Sequence, residues 1–229
     1  MKFAKMVLLS TLIFFGTSFA QEEEQGQADA SDRYATLEKD KSGFRETWVA
    51  PDADFSRFDK LYIWKAEFQY RDVGPARRSR STMMSTRKTE FGISEDDRKE
   101  FERIIREAFL DEVQKARNFI LVDEFDANTI IMRGAVLDII SRVPPETVGR
   151  SEIYLSSIGE ATLVMELIDA GTGEVLAVVA ERRHLQRSGG RDISTMPTNR
   201  ATIISDIRGW SRRAAKILRT ELDNAMAGK

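Results

Sequence analysis

The sequence predicts an α/β fold: a single domain in which a mixed, mostly antiparallel sheet of about five strands carries two main helices. Three observations predict it. Apolar residues recur at helical spacing in two long segments, near 94–113 and 199–225. They alternate with period two, or run continuously, in shorter segments between turn residues. The resulting order of strand, helix, four strands and helix is that of one α/β domain, and no repeat or linker divides it.

Taken from the start of the chain, residues 1–20 read as an export signal. Lys2 and Lys5 precede an apolar run from Met6 to Phe15, and Ser18-Phe19-Ala20 gives the small-residue cleavage pattern before Gln21. The run is shorter than the roughly twenty apolar residues that span a bilayer. Residues 21–42 are acidic, polar and small, which predicts a flexible acidic leader. The single α/β domain is expected over 43–226. It opens on Ser42-Gly43-Phe44 and an extended run from Trp48 to Phe55, where Pro51 biases Ala50 away from helix.

A first strand is predicted over 61–70, with Tyr62, Trp64, Ala66, Phe68 and Tyr70 on one face and Lys65, Glu67 and Gln69 on the other. Aromatics at strand period face a core more often than they form a stacking platform for sugars. Residues 71–93 follow as a long basic loop without apolar period, carrying Arg71, Arg77, Arg78, Arg80, Arg87 and Lys88.

Ser94 is a helix N-cap able to accept from Asp97, and Glu95, Asp96 and Asp97 suit the positive end of the helix dipole. Phe101, Ile104, Ile105, Ala108, Phe109 and Val113 form its apolar stripe, with Glu100, Arg103, Arg106 and Glu107 on a charged back. Phe119 to Val122 then reads as a buried strand reached by a helical crossover. Counted from Glu124, the sixth and twelfth places of a calcium loop hold Thr129 and Ala135 in place of glycine and glutamate, so Asp123 to Asn128 reads as a turn. A long strand is predicted over 129–143, with Gly134 marking a bulge or a close backbone approach and Pro144-Pro145 ending it. Residues 161–180 form a hairpin about the turn Asp169 to Glu174. That turn's two glycines precede a strand, where a phosphate loop would open a helix. Arg182, Arg183, His184, Arg187 and Arg191 cluster after it. The closing helix places Ile203, Ile204, Ile207, Trp210, Ala214, Ile217, Leu218 and Leu222 inward, Arg208, Arg212, Arg213 and Arg219 outward, and a fraying end from Met226.

Without residues 1–20 the chain has 33 basic and 37 acidic residues, a net charge of −4, which argues against a dedicated nucleic-acid binder. It contains no cysteine, so disulfides, thiolate nucleophiles and thiolate zinc sites are excluded. One histidine surrounded by arginines forms neither a zinc site nor a serine-type triad. No nucleophile elbow of Gly-x-Ser-x-Gly type occurs. The reading expects no catalytic residue, no metal and no cofactor.

Ser42-Gly43-Phe44, the run from Trp48 to Phe55, Leu61-Tyr62-Ile63 and the turn Asp169 to Glu174 resemble the bacterial envelope family of domain of unknown function 3313, over about residues 43–225. The resemblance implies an exported α/β domain, often a lipoprotein, with no established activity or catalytic residues to carry over. This chain lacks a lipid-accepting cysteine after the signal, so a soluble periplasmic protein without a transmembrane segment is expected. The expected function is non-catalytic binding of another envelope protein or an anionic envelope component, through Arg77, Arg78, Arg80, Arg87, Arg182 and Arg183 if the fold brings those arginines together. The alternative is a periplasmic glycan hydrolase using paired carboxylates. Oligomeric state is left open.

Overall fold

The structure, a computed structural model, describes residues 33–73, 90–144, 154–186 and 197–228. Eight strands form one mixed sheet: β1 (Glu38–Asp40), β2 (Glu46–Val49), β3 (Lys60–Ile63), β4 (Glu67–Tyr70), β5 (Ile120–Val122), β6 (Thr129–Ser141), β7 (Ser157–Asp169) and β8 (Val175–Gln186). Their spatial order is β1-β2-β8-β7-β6-β3-β5, and β4 continues from β3 along the second half of β6. The pairings from β1 to β6 are antiparallel; β6 with β3, β6 with β4 and β3 with β5 are parallel. Two α-helices, α1 (Glu95–Val113) and α2 (Arg200–Met226), pack together against one face of the sheet. The single α/β domain with a mostly antiparallel sheet and two helices is as predicted, with three strands more than the expected five.

The additional strands have local causes. β1 falls inside the segment read as leader and pairs with β2, which in turn pairs with β8. The strand predicted over 61–70 is divided at residues 64–66, and the division reverses which side chains face the helices. Leu61 is fully buried, while Tyr62 and Trp64 lie on the opposite face and Trp64 is 48% exposed. Beyond the division Phe68 and Tyr70 turn to the helix side, each with its ring centroid 6.3 Å from that of Phe101. The five aromatic and small residues expected on one face are therefore split between two.

The β7–β8 hairpin is the centre of the fold. Ala161, Leu163, Met165 and Leu167 of β7, with Ala177 and Val179 of β8, meet Ile104 and Ile105 of α1 and Trp210 and Leu218 of α2. Each such side chain contributes on the order of 1.5–3 kcal/mol on full burial. Its turn closes with the Gly173 N–H donating to the Asp169 carbonyl at 2.8 Å, and Gly173 holds φ +76°, a conformation glycine adopts without penalty.

The bulge in β6 lies between Leu137 and Ile140, with Asp138 at φ +54°, and not at Gly134, which pairs regularly with Met165. A β-bulge adds an unpaired residue and bends its strand. Gly159 sits opposite this bend, where a Cβ would collide with the Ile140 carbonyl oxygen, so only glycine permits the close approach of β7.

Both helices begin as the sequence predicts. The Ser94 side chain accepts from the Asp97 N–H, and Asn199 forms a reciprocal capping box with Thr202. Where they cross, small residues Ala108, Ala214 and Ala215 admit close contact, and the buried Ser211 hydroxyl donates to the Ile105 carbonyl at 2.8 Å. Arg219 does not belong to the outer face. Its side chain is 16% exposed and bridges the helices through Glu112 (3.3 Å) and Asp223 (3.5 Å). Met226 is buried and still helical.

The run 119–122 is an edge strand, with Phe119 buried but Ile120 62% exposed. Asp123 to Asn128 is a turn, in which the Asp126 carboxylate accepts from the Asn128 N–H and the Thr129 hydroxyl. No helix among the described residues is long and apolar enough to cross a membrane.

Candidate functional site

The bulged end of the sheet gathers a cluster of charged residues on the outer face, apart from the Arg133–Glu166 pair nearer the middle of the sheet. Because successive strand residues point to opposite faces, Thr162 and Glu160 of β7 stand beside Arg182 and His184 of β8, away from the helices. The positive φ of Asp138 breaks the alternation of β6 and places its carboxylate on that same face, within reach of Arg182.

Asp138 is shared by two arginines from different elements. Arg71, just after β4, binds it with Nε and Nη2 at 2.6 and 2.5 Å, a bidentate geometry, and Arg182 adds a bond at 2.6 Å. Arg182 also reaches Glu160 at 3.2 Å, whose carboxylate pairs with Arg142 and lies 3.2 Å from the His184 Nδ1. Arg71 further bonds Glu90 at 3.1 Å. The hydrogen bond from Arg71 holds the Asp138 carboxyl below its usual range, against a partial opposing effect of burial, with Arg182 acting in the same sense. Burial acts against ionisation of Glu160, yet its bonds from Arg142 and Arg182 outweigh burial and keep it low.

This network anchors the basic loop. The Arg71 N–H donates to the Ile139 carbonyl (3.0 Å) and the Phe91 N–H to the Ser141 carbonyl (2.8 Å), so both ends of the segment are fixed to the last residues of β6. The other connections converge on the same place: Arg142 N–H bonds the Ile158 carbonyl, and the Leu155 N–H bonds the Thr198 hydroxyl. The described residues flanking 74–89, 145–153 and 187–196 thus all lie at this end of the sheet. Those three segments contain Arg77, Arg78, Arg80, Arg87, Arg150, Arg187 and Arg191.

Of the six arginines predicted to bind an anionic partner, Arg77, Arg78, Arg80 and Arg87 lie outside the described residues. Arg182 joins the roots of their loop, but its charge is balanced by Asp138 and Glu160. Arg183 occupies the other face of β8 and pairs with Glu181 at 2.6 Å, so it does not act together with Arg182. The carboxylates Asp138 and Glu160 and the guanidinium of Arg142 were not singled out by the sequence. Asp138 interrupts the apolar run Val136 to Ile140, and that interruption is the one signal that marks it.

The chemistry available here is ionic. A glycan hydrolase needs one carboxyl held protonated and another ionised. Asp138, through Arg71 and Arg182, and Glu160, through Arg142 and Arg182, are both driven towards the ionised form. Among the described residues no group of three or more histidine, aspartate or glutamate side chains is placed to hold a metal ion.

A second concave feature lies at the opposite end, a cleft of about 430 Å³ between β1–β2 and the C-terminal half of α2. Val49, Phe55, Leu167, Val179 and Leu222 form its apolar floor, and Glu38 and Glu221 stand at its rim. Glu221 is held by the Gly43 N–H at 2.8 Å.

Comparison with known proteins gives one family and distant folds. The family described as "Protein of unknown function (DUF3313)" matches residues 25–206. No curated protein matches the chain. Among solved structures, the chain is similar to the PelC dodecamer from Paraburkholderia phytofirmans at 12% identity and TM-score 0.33, over 80% of this chain and 96% of that one. It is also similar to a DUF330 protein from Xanthomonas campestris at 11% identity and TM-score 0.37, over 82% and 95%.

Proposed function

We propose that this chain, which belongs to the family described as Protein of unknown function (DUF3313), is an exported, non-catalytic envelope protein that binds another envelope protein or an anionic envelope component. Export rests on the signal pattern of residues 1–20. The observation that carries the binding reading is the convergence of Arg71 and Arg182 on Asp138. It joins the described root of the 71–93 loop to β8, at the end of the sheet where the described residues flanking the other two arginine-bearing segments also lie. Arg77, Arg78, Arg80 and Arg87 supply the contact, and Arg182 positions the loop while its own charge is spent on Asp138 and Glu160. Arg183 is a peripheral contact. The network is balanced in charge, whereas residues 74–89 carry four arginines and Lys88 and no acid, so their net positive charge attracts an anionic partner.

Anionic vesicles test the anionic arm of this reading. The purified exported protein binds phosphatidylglycerol vesicles at low salt and not phosphatidylcholine vesicles, with binding that weakens as salt is raised. Reversing Arg77, Arg78, Arg80 and Arg87 to Glu weakens it by roughly a thousandfold, from about 1 kcal/mol for each basic side chain at an anionic surface. Equal binding to both vesicle types, or no effect of the reversal, removes the anionic component as the target.

A further inference from the structure

We propose that β5 is a docking edge for a second copy of this chain, paired antiparallel about a twofold axis at Ile120 so that the two sheets become continuous. Among the described residues β5 is hydrogen-bonded on one side only, to β3. The Ile120 N–H donates to the Asp59 carbonyl at 3.0 Å. In a parallel ladder alternate residues face the partner strand, so the N–H and C=O of Leu121 point away from the sheet. Such an open row of backbone groups is a template for another strand.

The two edges of the sheet are built differently. β1 presents Glu38, Lys39 and Asp40, all exposed, and charges on an edge oppose pairing with another chain. β5 presents Ile120 at 62% exposure, and on the same face Phe125 and Trp64 are each 48% exposed. The Tyr62 ring lies 5.2 Å from that of Phe125 and 6.0 Å from that of Trp64, so these side chains form one apolar patch continuous with the edge. The edge is also fixed in place. The Asp223 carboxylate accepts the N–H groups of Arg117 and Asn118, both at 2.9 Å, and the Asn118 amide donates to the Asp223 carbonyl at 2.7 Å. A fixed edge avoids the ordering entropy that association otherwise costs.

Charge order selects a second copy as the occupant. Arg117 precedes β5, and Asp123 and Glu124 follow it; all three are exposed and form no ion pair among the described residues. Antiparallel self-pairing brings the Arg117 end of each strand to the Asp123–Glu124 end of the other, twice by symmetry. Parallel pairing would set like charges together. With Ile120 opposite Ile120, Phe119 lies opposite Leu121, so their outward backbone groups bond each other and the apolar patches fall on one face.

Sedimentation velocity of the purified exported protein over a concentration series tests the proposal. A monomer–dimer equilibrium is expected, weakened at least tenfold by Ile120→Lys with an unchanged melting temperature. Arg117→Glu alone, and Asp123→Arg with Glu124→Arg alone, each weaken self-association at least tenfold. Mixing these two proteins restores it, because both ends of the mixed pair regain opposite charges. A monomer at every concentration overturns the proposal and leaves the edge to a strand of a different protein. A dimer indifferent to Ile120→Lys, or charge variants that mixing does not rescue, overturns it equally.

Discussion

Trp210→Ala is expected to cost about 3–5 kcal/mol of stability, the range for removing a large aromatic from a core. Trp210 is 3% exposed in α2, within the cluster that joins both helices to the β7–β8 hairpin. Truncation therefore opens a cavity at the junction of three elements, where no single one can move to fill it. For a domain of this size the loss lowers Tm by roughly 6–20 °C. Among the described residues the indole Nε1 has no hydrogen-bond partner. Trp210→Phe removes that buried unsatisfied donor together with part of the ring, so its cost is much smaller. Equilibrium urea unfolding of both variants checks the pair. A loss below about 1 kcal/mol for Trp210→Ala would contradict the packing described.

Asp169→Ala is expected to cost on the order of 2–4 kcal/mol, from several charge-assisted hydrogen bonds. The Asp169 carboxylate is 1% exposed and accepts from the Gly171 N–H (2.8 Å) and the Thr172 hydroxyl (3.0 Å), and it pairs with Arg57. It thereby closes the hairpin turn and ties it to the short 3₁₀ turn Phe55–Arg57. Arg57 is 48% exposed and returns to water when its partner is removed, which keeps the cost below that of a fully buried pair.

Acid acts on the same group. Burial raises the Asp169 carboxyl, but the Gly171 and Thr172 bonds and the Arg57 charge outweigh it and leave it low. Asp138 and Glu160 are low as well. A carboxyl lowered on folding binds fewer protons in the native than in the unfolded chain, so its contribution is complete above the unfolded values near 3.9 and 4.3. That contribution is lost as pH falls through the folded values. Stability is therefore flat from about pH 5 to 7 with respect to these groups and drops below about pH 4. Asp169→Asn shows a shallower acid drop than the parent. A steep loss between pH 5 and 7 would contradict this assignment.

The helices were legible because of the Ser94 cap on the first and, on both, an apolar stripe long enough to average over exceptions; the Asn199 capping box of the second was not read from the sequence. The hairpin was legible because Ala161 to Leu167 alternate regularly and the Asp169–Glu174 turn leads directly into a second apolar run; the start of β7 at Ser157, before a register shift, was not. The divided strand was not, because residues 64–66 carry no proline and only the tertiary path along β6 requires the break. A bulge was one of the two readings of Gly134, whereas the strand bends at Asp138, whose carboxylate is bound by Arg71 and Arg182 from other elements. Arg219 looked like an outer-face cation because Glu112, its partner on α1, is distant in sequence. For the candidate site, the sequence identified basic residues without their counter-charges. Asp138 and Glu160 are what set the role of Arg182; only the break in the apolar run Val136 to Ile140 hints at Asp138 in the sequence, and three-dimensional proximity is what reveals Glu160.

The most direct measurement is photo-crosslinking in intact cells from a reactive residue placed at position 80. The account predicts an envelope adduct from position 80 that is lost when Arg77, Arg78 and Arg87 are reversed to Glu, and none from position 107 on the exposed back of α1. No adduct from position 80, or equal adducts from both positions, would contradict it.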